Sequence, residues 1–395
     1  MNGRRSKLTL ERVLGLTAYS NAGVSINKVT GEVAYPAGCV VVMYNFQRDK
    51  QTRYYRVEKQ VSAIAFSPDG KLLAIAEKGH APAITVWDVD SGQLKAELKR
   101  HKYGIASLAI SSDGQYLMSI GLVHDAMIYI WHITTQNAVG AAKVDTKLHA
   151  VDYSIDDNCF VTVGEAHVQF WKHDGVKFHT SGNFIDSIPE LCPTLAIMSR
   201  LNDATFVGVG CAANKKTFST TSDGFLCCFG GVTMERLVSV EANHGFALSV
   251  TSDYVAVGGS SSIVRLFDPA TLEYKQTLPF PAHSSPVELP DNLLMPPDPK
   301  NFPAVVALRI AGDHIVIIYS DHSLIIWDMT KREVIRSYLF HQSAITDIAI
   351  FGSIAGLDAR GRIQYEKLLP TSGLPIPDGA FVTVSEDNSM RFWHL

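Results

Sequence analysis

The 395-residue chain has little charge and no long hydrophobic run. Charged residues make up 19% of it, and the net charge is −4. Such a balance argues against general nucleic-acid binding, which needs a strongly basic face. Without a run of about 20 apolar residues, no membrane span is predicted. The start, MNGRRSKLTLERVL, lacks the uncharged apolar stretch of a secretory signal. We therefore expect a cytoplasmic protein with no membrane partner.

Paired cysteines and catalytic motifs are also missing. The six cysteines have no CxxC spacing, so they predict neither a disulfide framework nor a metal site. No GxSxG elbow, Walker loop or HExxH pair occurs in the sequence. We accordingly expect no enzymatic activity, no catalytic residues, no cofactor and no metal.

Tryptophan is scarce, but all five tryptophans lie in the same local frame. Each follows strand-like apolar residues, as in AITVWDV and SLIIWDM, and Trp87, Trp131 and Trp171 are spaced by 44 and 40 residues. A period of about 40–45 residues with a Trp-Asp-like dipeptide is typical of WD-type β-propellers. Copies with Phe or Tyr in place of Trp complete eight units, whose structural aromatics are Tyr44, Trp87, Trp131, Trp171, Phe229, Phe267, Trp327 and Trp393.

An acidic residue lies six positions before the aromatic in five of the eight units. These acids are Asp125, Glu165, Asp223, Asp321 and Asp387. The position is predicted to fall in the turn between the second and third strands of a blade, where a carboxylate accepts hydrogen bonds from nearby N–H groups. The loop before the first strand carries a partner histidine in three units: His101, His283 and His341. Because the pairing recurs from blade to blade, we interpret it as a structural network rather than a catalytic site.

Short strand-like runs separated by turn residues fill the rest of the chain, and helix-period segments of useful length are absent. We predict an all-β fold, a single WD40-type β-propeller over residues 1–395. Eight repeat units can be recognised in the sequence, which predicts eight blades, and a seven-bladed propeller is the alternative. Residues 8–16 are strand-like and are expected to close the ring by supplying the missing fourth strand of the last blade. Two irregular insertions are predicted, at 279–303, which contains eight prolines, and at 352–379.

Several stretches resemble the amino-terminal propeller of the mitogen-activated protein kinase-binding protein family. That family includes a related spindle-pole and centrosome WD-repeat scaffold. The segments are GEVAYPAGCVVVMYNF, SAIAFSPDGKLLAIAEKGHAPAITVWDV, HKYGIASLAIS and FVTVSEDNSMRFW, of which AYPAGC and GHAPA are the specific parts.

The resemblance implies a non-enzymatic interaction scaffold for stress-kinase signalling or for mitotic spindle and centrosome assembly. Its implied partners are kinases, their adaptors, or centrosomal and spindle proteins. The implied locations are the cytoskeleton, the centrosome and the spindle pole. Family members continue into a second propeller and a long tail, so a fragment of such a protein would be expected to pair with a second propeller.

A basic segment near the N-terminus is the first candidate binding site. The first 60 residues contain ten basic and four acidic residues, and the candidate residues are Arg48, Lys50, Arg53, Tyr54, Tyr55, Arg56 and Lys59. A localised basic patch can bind acidic partner segments, acidic tubulin tails or RNA. This supports an alternative function, a cytoskeletal or axonemal structural protein that binds microtubules. A solvated outer strand would show the same composition.

A second candidate lies at the extreme N-terminus. Basic residues followed by an apolar-x-apolar pair are typical of kinase-docking peptides, in which the basic residues meet an acidic kinase surface and the apolar ones enter a groove. The residues with this pattern are Arg4, Arg5, Lys7, Leu8 and Leu10. The two leucines also belong to the predicted closing strand, so the two interpretations compete.

Overall fold

The structure, a computed structural model, describes residues 12–156, 158–174, 177–198, 201–212, 215–240, 245–260, 262–281, 302–350, 353–357, 363–366 and 380–393. Leu16–Tyr338 form one compact unit, and Met1–Gly15 with Leu339–Leu395 form a second. In the described part of the chain, β-strands and one short 3-10 turn account for all regular structure. The predicted all-β, WD40-type propeller is confirmed.

The first three sheets come from residues 25–143, and each begins as a four-stranded antiparallel meander. The first contains β1 (Ser25–Ile26), β2 (Val33–Ala37), β3 (Val40–Asn45) and β4 (Lys50–Arg56). The second contains β5 (Val61–Phe66), β6 (Leu72–Glu77), β7 (Ala83–Asp88) and β8 (Leu94–Lys99). The third contains β9 (Ile105–Ile110), β10 (Tyr116–Gly121), β11 (Met127–His132) and β12 (Asn137–Lys143).

The fourth sheet is interrupted by a hairpin that joins its neighbour. Its meander is β13 (Leu148–Ser154), β14 (Cys159–Gly164) and β15 (His167–Lys172). The chain then forms β16 (Thr180–Ile185) and β17 (Ile188–Leu191), and β17 pairs in parallel with β12 of the third sheet at Ala141 and Glu190. It returns as β18 (Thr194–Leu195), the fourth strand of the fourth sheet. The hairpin therefore ties two neighbouring sheets together along their outer edges.

Three further four-stranded sheets complete the larger unit. The fifth contains β19 (Phe206–Cys211), β20 (Lys216–Thr221), β21 (Phe225–Gly230) and β22 (Thr233–Ser239). The sixth contains β23 (Gly245–Val250), β24 (Val255–Gly259), β25 (Val264–Phe267) and β26 (Tyr274–Leu278). The seventh contains β27 (Val305–Ala311), β28 (His314–Tyr319), β29 (Ser323–Asp328) and β30 (Glu333–Leu339).

The second unit carries an eighth sheet. It contains β31 (Ile345–Ile350), β34 (Phe381–Ser385) and β35 (Met390–Trp393), and a separate hairpin of β32 (Ser353–Leu357) and β33 (Ile363–Glu366) lies between the first two in sequence. The eight readable units thus correspond to eight sheets. That hairpin is the described part of the predicted insertion at 352–379. Residues 282–301 of the other insertion lie outside the described residues, and the single domain over 1–395 stays a prediction.

The seven sheets of the larger unit succeed one another around a centre. The first strand of each sheet contacts the first strand of the next, and β27 of the seventh sheet also contacts β1 of the first. Between neighbouring sheets lie apolar side chains such as Ile84 and Trp131, which are at most 2% exposed. Because both faces of a sheet are covered in this way, its strands are nearly continuously apolar in sequence. The succession therefore returns to its starting point within residues 16–338.

The segment before β1 fastens the first sheet to the sixth and seventh. The short 3-10 turn Asn21–Gly23 contacts the first strands of four sheets. The Asn21 side chain donates to Leu248 O at 2.8 Å and accepts from Leu308 N–H at 3.2 Å. Arg309 donates to both the side-chain and the backbone oxygen of Asn21, at 2.6 and 2.5 Å. We call this set of bonds the Asn21 clasp.

Closure by an N-terminal strand was expected for residues 8–16. Residues 8–11 lie outside the described residues, and 12–16 carry no strand in the structure. The closing strand stays a prediction, whereas the Asn21 clasp is an observed link between the N-terminal segment and the last sheets of the larger unit. It links atoms that are up to 288 residues apart in sequence.

Replacing Asn21 by alanine is expected to lower the free energy of unfolding by about 1–3 kcal/mol. The buried Leu248 carbonyl and Leu308 N–H lose their side-chain partner, whereas Arg309 keeps its bond to the Asn21 backbone carbonyl. Urea unfolding followed by fluorescence would measure this, with an unchanged m-value if the folded state keeps its compactness. Asn137→Ala, at an exposed strand position, is the control. Equal midpoints for the two variants would contradict a role of the clasp in stability.

Candidate functional site

The eight repeat aromatics all lie in the third strand of their sheets. Three of the tryptophans donate their indole N–H to a hydroxyl on the second strand: Trp131 to Ser119 at 2.9 Å, Trp171 to Thr162 at 2.9 Å, and Trp393 to Thr383 at 2.7 Å. Such a bond satisfies the polar atom of a side chain that is otherwise buried among apolar groups.

Two sheets extend this bond into a four-residue network. In the third sheet, Asp125 bonds His101 at 2.5 Å, and the other ring nitrogen of His101 lies 2.7 Å from the Ser119 hydroxyl that also accepts from Trp131. The eighth sheet repeats the arrangement through Asp387, His341 and Thr383, with distances of 3.1 and 2.7 Å. Every polar atom of the histidines is engaged within the sheet. His283, the third expected partner, lies outside the described residues.

The remaining turn acids make simpler contacts. Asp321 accepts from the Ser323 N–H at 3.0 Å, and Asp223 accepts from the Ser222 hydroxyl at 3.3 Å. In the fourth sheet, Glu165 lies in the expected turn, but His167, two residues later, bonds the Thr162 hydroxyl at 2.8 Å. The histidine of this sheet therefore comes from the third strand instead of the preceding loop.

In the second sheet, Glu77 takes the role that the turn acid has in other sheets, and the sequence analysis did not predict this. The position six residues before the tryptophan, where an acid was expected, is occupied by Ala81. The Glu77 carboxylate, only 2% exposed, accepts from the N–H groups of Glu58 and Lys59 with one oxygen and from Ala83 N–H with the other, at 2.9–3.1 Å. A lone acid at the end of the apolar run LLAIAE was the available signal.

The structure divides the predicted basic segment into anchored and exposed residues. Arg53 donates to the carbonyls of Val89 and Asp90 in the neighbouring sheet. Lys59 donates to the carbonyls of His80 and Ala81, and each of these two bonds is 2.8 Å long. These two cations hold sheets together and are not available to a partner.

Neither tyrosine of the segment offers a fully exposed ring. Tyr55 is 2% exposed and packs against Trp87 with the ring centroids 5.2 Å apart. Tyr54 is half-buried and donates to Gln51 at 2.9 Å. The side chains that remain exposed are Arg48, Lys50 and Arg56, which we call the basic strand surface. The docking-peptide residues Arg4, Arg5, Lys7, Leu8 and Leu10 lie outside the described residues.

A cavity of about 790 Å³ runs through the centre of the larger unit and is lined by the first strands of all seven sheets. It contains charges of both signs, Lys28, Asp152 and Arg309. Burial raises the pKa of Asp152 above its ordinary value, although nearby Lys28 opposes the shift. Burial lowers the pKa of Arg309 to about 10, with Asp152 opposing. The opposite charges thus reduce, without cancelling, the effect of burial on the pKa values of these two groups.

Two of these three charged groups are bonded within the protein. The Asp152 carboxylate accepts from Cys211 N–H at 2.7 Å, and Arg309 is engaged by Asn21. In the ranges that the structure describes, no group of three or more His, Cys, Asp or Glu side chains could hold a metal ion. Over the same ranges, no helix is long and apolar enough to cross a membrane.

A string of exposed side chains lies on the loops of the second and third sheets, beside the segment that precedes the Asn21 clasp. It consists of Tyr19, Lys78, His80, Lys102, Tyr103 and Val123, which we call the loop ridge. Tyr19 is 62% exposed, Tyr103 50% and Val123 52%. Sequence reasoning missed this surface, because its members come from four separate loops.

Comparisons with known proteins agree with this fold. The family model "WD domain, G-beta repeat" matches residues 92–132, the segment that contains His101, Asp125 and Trp131. The chain is 33% identical over 99% of its length to WD repeat-containing protein 62 of Sus scrofa, and 33% identical over 98% to Mitogen-activated protein kinase-binding protein 1 of Mus musculus. It spans about a quarter of the length of these relatives, 25% and 26%.

A solved structure supports the fold independently. The crystal structure of the computationally designed Ika8 protein superposes with a TM-score of 0.57, covering 98% of this chain and 100% of that one. The sequence identity is only 16%, so this likeness concerns the fold alone.

Asp125→Asn should weaken the third sheet in a pH-dependent way. Burial opposes ionisation of Asp125, but bonds from His101 and from the N–H groups of Lys102 and Tyr103 outweigh it and lower its pKa. The stability from this carboxylate is therefore fully present above the unfolded pKa of about 3.9 and is lost as pH falls through the lower folded pKa. We expect a loss of about 1–3 kcal/mol at neutral pH.

Urea unfolding at a series of pH values would measure this difference. The gap between wild type and Asp125→Asn should narrow as the pH falls below about 4. Asp145→Asn, which changes an exposed acid, serves as the control. A gap that is constant across the series would show that the ionised carboxylate is not the source of the stability.

Proposed function

Because the chain belongs to the WD-repeat family that contains WD repeat-containing protein 62 and Mitogen-activated protein kinase-binding protein 1, we propose that it is an interaction scaffold for mitogen-activated kinase signalling or for the spindle pole and centrosome. The observation that carries this proposal is the 33% identity over nearly the whole chain. One of these relatives is named for binding a mitogen-activated protein kinase. Kinases or their adaptors are therefore the first partner class that we propose.

The chemistry of the repeats supports a scaffold rather than an enzyme. Asp125, His101 and Glu77, which in another setting could act as acids or bases, are buried and bonded within their own sheets. A general acid or base must reach a substrate proton within hydrogen-bond distance. Groups whose bonding capacity is used inside the fold stabilise the platform, and binding takes place on its surfaces.

The basic strand surface supports contact with an acidic partner. Arg48, Lys50 and Arg56 lie along one outer strand and the turn that precedes it, and all three are exposed. Exposed cations steer acidic partners and give an association rate that falls with salt concentration. Asp49, between the first two, bonds Tyr44 at 2.9 Å and lies 4.0 Å from Arg336, so its charge is partly compensated inside the protein.

A second candidate function rests on the same surface. The acidic tails of tubulin would bind exposed cations equally well, which makes a microtubule-bound structural protein the alternative. The proposed locations follow from the partner: cytoplasmic for a kinase scaffold, and the spindle pole, centrosome or axoneme for a microtubule-binding protein. A tubulin contact driven by charge weakens steeply as ionic strength rises.

The variant R48E/K50E/R56E is expected to lose its partners while keeping its fold, because these side chains are exposed. Proximity labelling in dividing cells, with the wild-type chain and the variant each carrying the tag, would identify the partner proteins. Enrichment of mitogen-activated kinases or their adaptors, or of spindle-pole and centrosomal proteins, supports the scaffold. Enrichment lost in the variant assigns the contact to the basic strand surface.

The control variant is R100E/K143E/K147E, which makes the same charge change at exposed positions of the third sheet and its flanking loops. Microtubule co-sedimentation at low and high salt, carried out with both variants, tests the alternative. Co-sedimentation lost only in R48E/K50E/R56E supports the microtubule-bound protein. An interaction set without kinases, adaptors, spindle-pole or centrosomal proteins would overturn the proposed scaffold.

A further inference from the structure

The loop ridge is a continuous surface and not a set of scattered side chains. Lys78 Nζ lies 5.7 Å from the centre of the Tyr19 ring, and the rings of His80 and Tyr103 are 6.0 Å apart in an edge-to-face arrangement. Ala81 N–H donates to Lys102 O at 2.8 Å, and Leu122 N–H donates to Gly104 O at 3.1 Å. Backbone bonds therefore join the loops that carry His80, Tyr103 and Val123.

The buried networks hold these loops in place. Asp125 accepts from the N–H groups of Lys102 and Tyr103, the two residues that extend from the third sheet onto the ridge. Glu77 secures Ala83 at the start of β7, directly after the turn with Lys78 and His80. Asn21, two residues after Tyr19, belongs to the clasp. A surface ordered in advance loses little conformational entropy when it binds.

The charge exposed by these loops is entirely positive. Their two acids, Glu77 and Asp125, are buried and engaged, whereas Lys78 and Lys102 are exposed. Tyrosine is enriched at contact surfaces, since its ring buries a large area at low entropic cost. The aromatic character fits an apolar side chain, and the lysines fit carboxylates.

We propose that the loop ridge binds a short acidic segment of a partner protein, in which an aromatic or branched apolar side chain packs between Tyr19 and Tyr103 and flanking carboxylates pair with Lys78 and Lys102. The three cations that these loops expose, Lys78, Arg100 and Lys102, suit a few carboxylates. A nucleic-acid site would need a wider field of cations along the phosphate backbone. The ridge is separate from the basic strand surface and does not depend on the proposed scaffold partners.

The test uses the full chain and fluorescein-labelled peptides of defined composition. The first peptide carries one Phe between two pairs of Glu, the second replaces Phe by Ala, and the third replaces each Glu by Lys. Fluorescence anisotropy should show binding of the first peptide and binding at least about tenfold weaker for the other two. Oligo-uridylate of similar length is the nucleic-acid probe.

Two variants test the two halves of the ridge separately. K78E/K102E and Y19S/Y103S should each weaken binding of the first peptide at least about tenfold. The matched controls are Leu94→Ser, an exposed apolar residue on the outer strand β8, and K95E/K177E, which reverses two exposed lysines outside both the ridge and the basic strand surface; both should leave binding unchanged. Unfolding midpoints verify that each variant is folded, and if one pair fails to fold, the other still decides.

Several results would overturn the proposal. These are the absence of peptide binding at about 1 mM, equal binding of the Lys peptide, tighter binding of oligo-uridylate, or equal weakening by K95E/K177E. The last result would mean that peptide binding follows the general charge of the protein and not the ridge.

Discussion

A ring of sheets depends on the junction between its last and first members. Six of the junctions in the larger unit are bridged by the chain itself, as it passes from one sheet to the next. The junction between the seventh and first sheets has no such covalent bridge between consecutive strands. It is spanned by the Asn21 clasp and by a hydroxyl pair, Tyr44 with Tyr338, at 3.0 Å. These bonds are partly buried, and a hydrogen bond that is shielded from water is costly to lose.

The clasp also explains the charges of the central cavity. Arg309 reaches Asn21 from the seventh sheet, and Asp152 faces the same space from the fourth. Burial pushes both groups toward their neutral forms, and the opposite charge nearby resists this. Of these charged groups, Arg309 serves the assembly of the sheets directly, through its bonds to Asn21.

The buried carboxylates connect stability to surface chemistry. Asp125 and Glu77 each accept N–H groups from the loop before a first strand, so the loop cannot move without exposing an unsatisfied carboxylate. Because Asp125 is withdrawn from the surface, the charges exposed by the loop before β9 are Arg100 and Lys102, whereas the loop before β5 exposes Glu58. At the third sheet, the interactions that rigidify the loop therefore also determine the sign of charge that a partner meets there.

Much of the fold was predictable from sequence, because its determinants are local. Each repeat of about 45 residues contains its own strand with the repeat aromatic, its own turn between the second and third strands, and its own alternation of strands and turns. A single repeat is therefore enough to reveal the pattern. The same locality predicted Asp125 with His101 and Asp387 with His341. The local pattern did not predict the role of Glu77. This acid lies at the end of the second strand and not in the turn that follows, although its carboxylate bonds the loop before the first strand, as Asp125 does in its own sheet.

Tertiary structure alone decided which surface residues are available. Arg53 and Tyr55 belong to a basic, aromatic segment, yet the neighbouring sheet engages the guanidinium and covers the ring. The loop ridge unites Tyr19 with Tyr103, which are distant in sequence. The sequence by itself determined the repeat, its strands and its buried aromatics, through periodic patterns of side-chain polarity. The clasp and the exposed surfaces depend on contacts between sheets, which no periodicity within one repeat encodes.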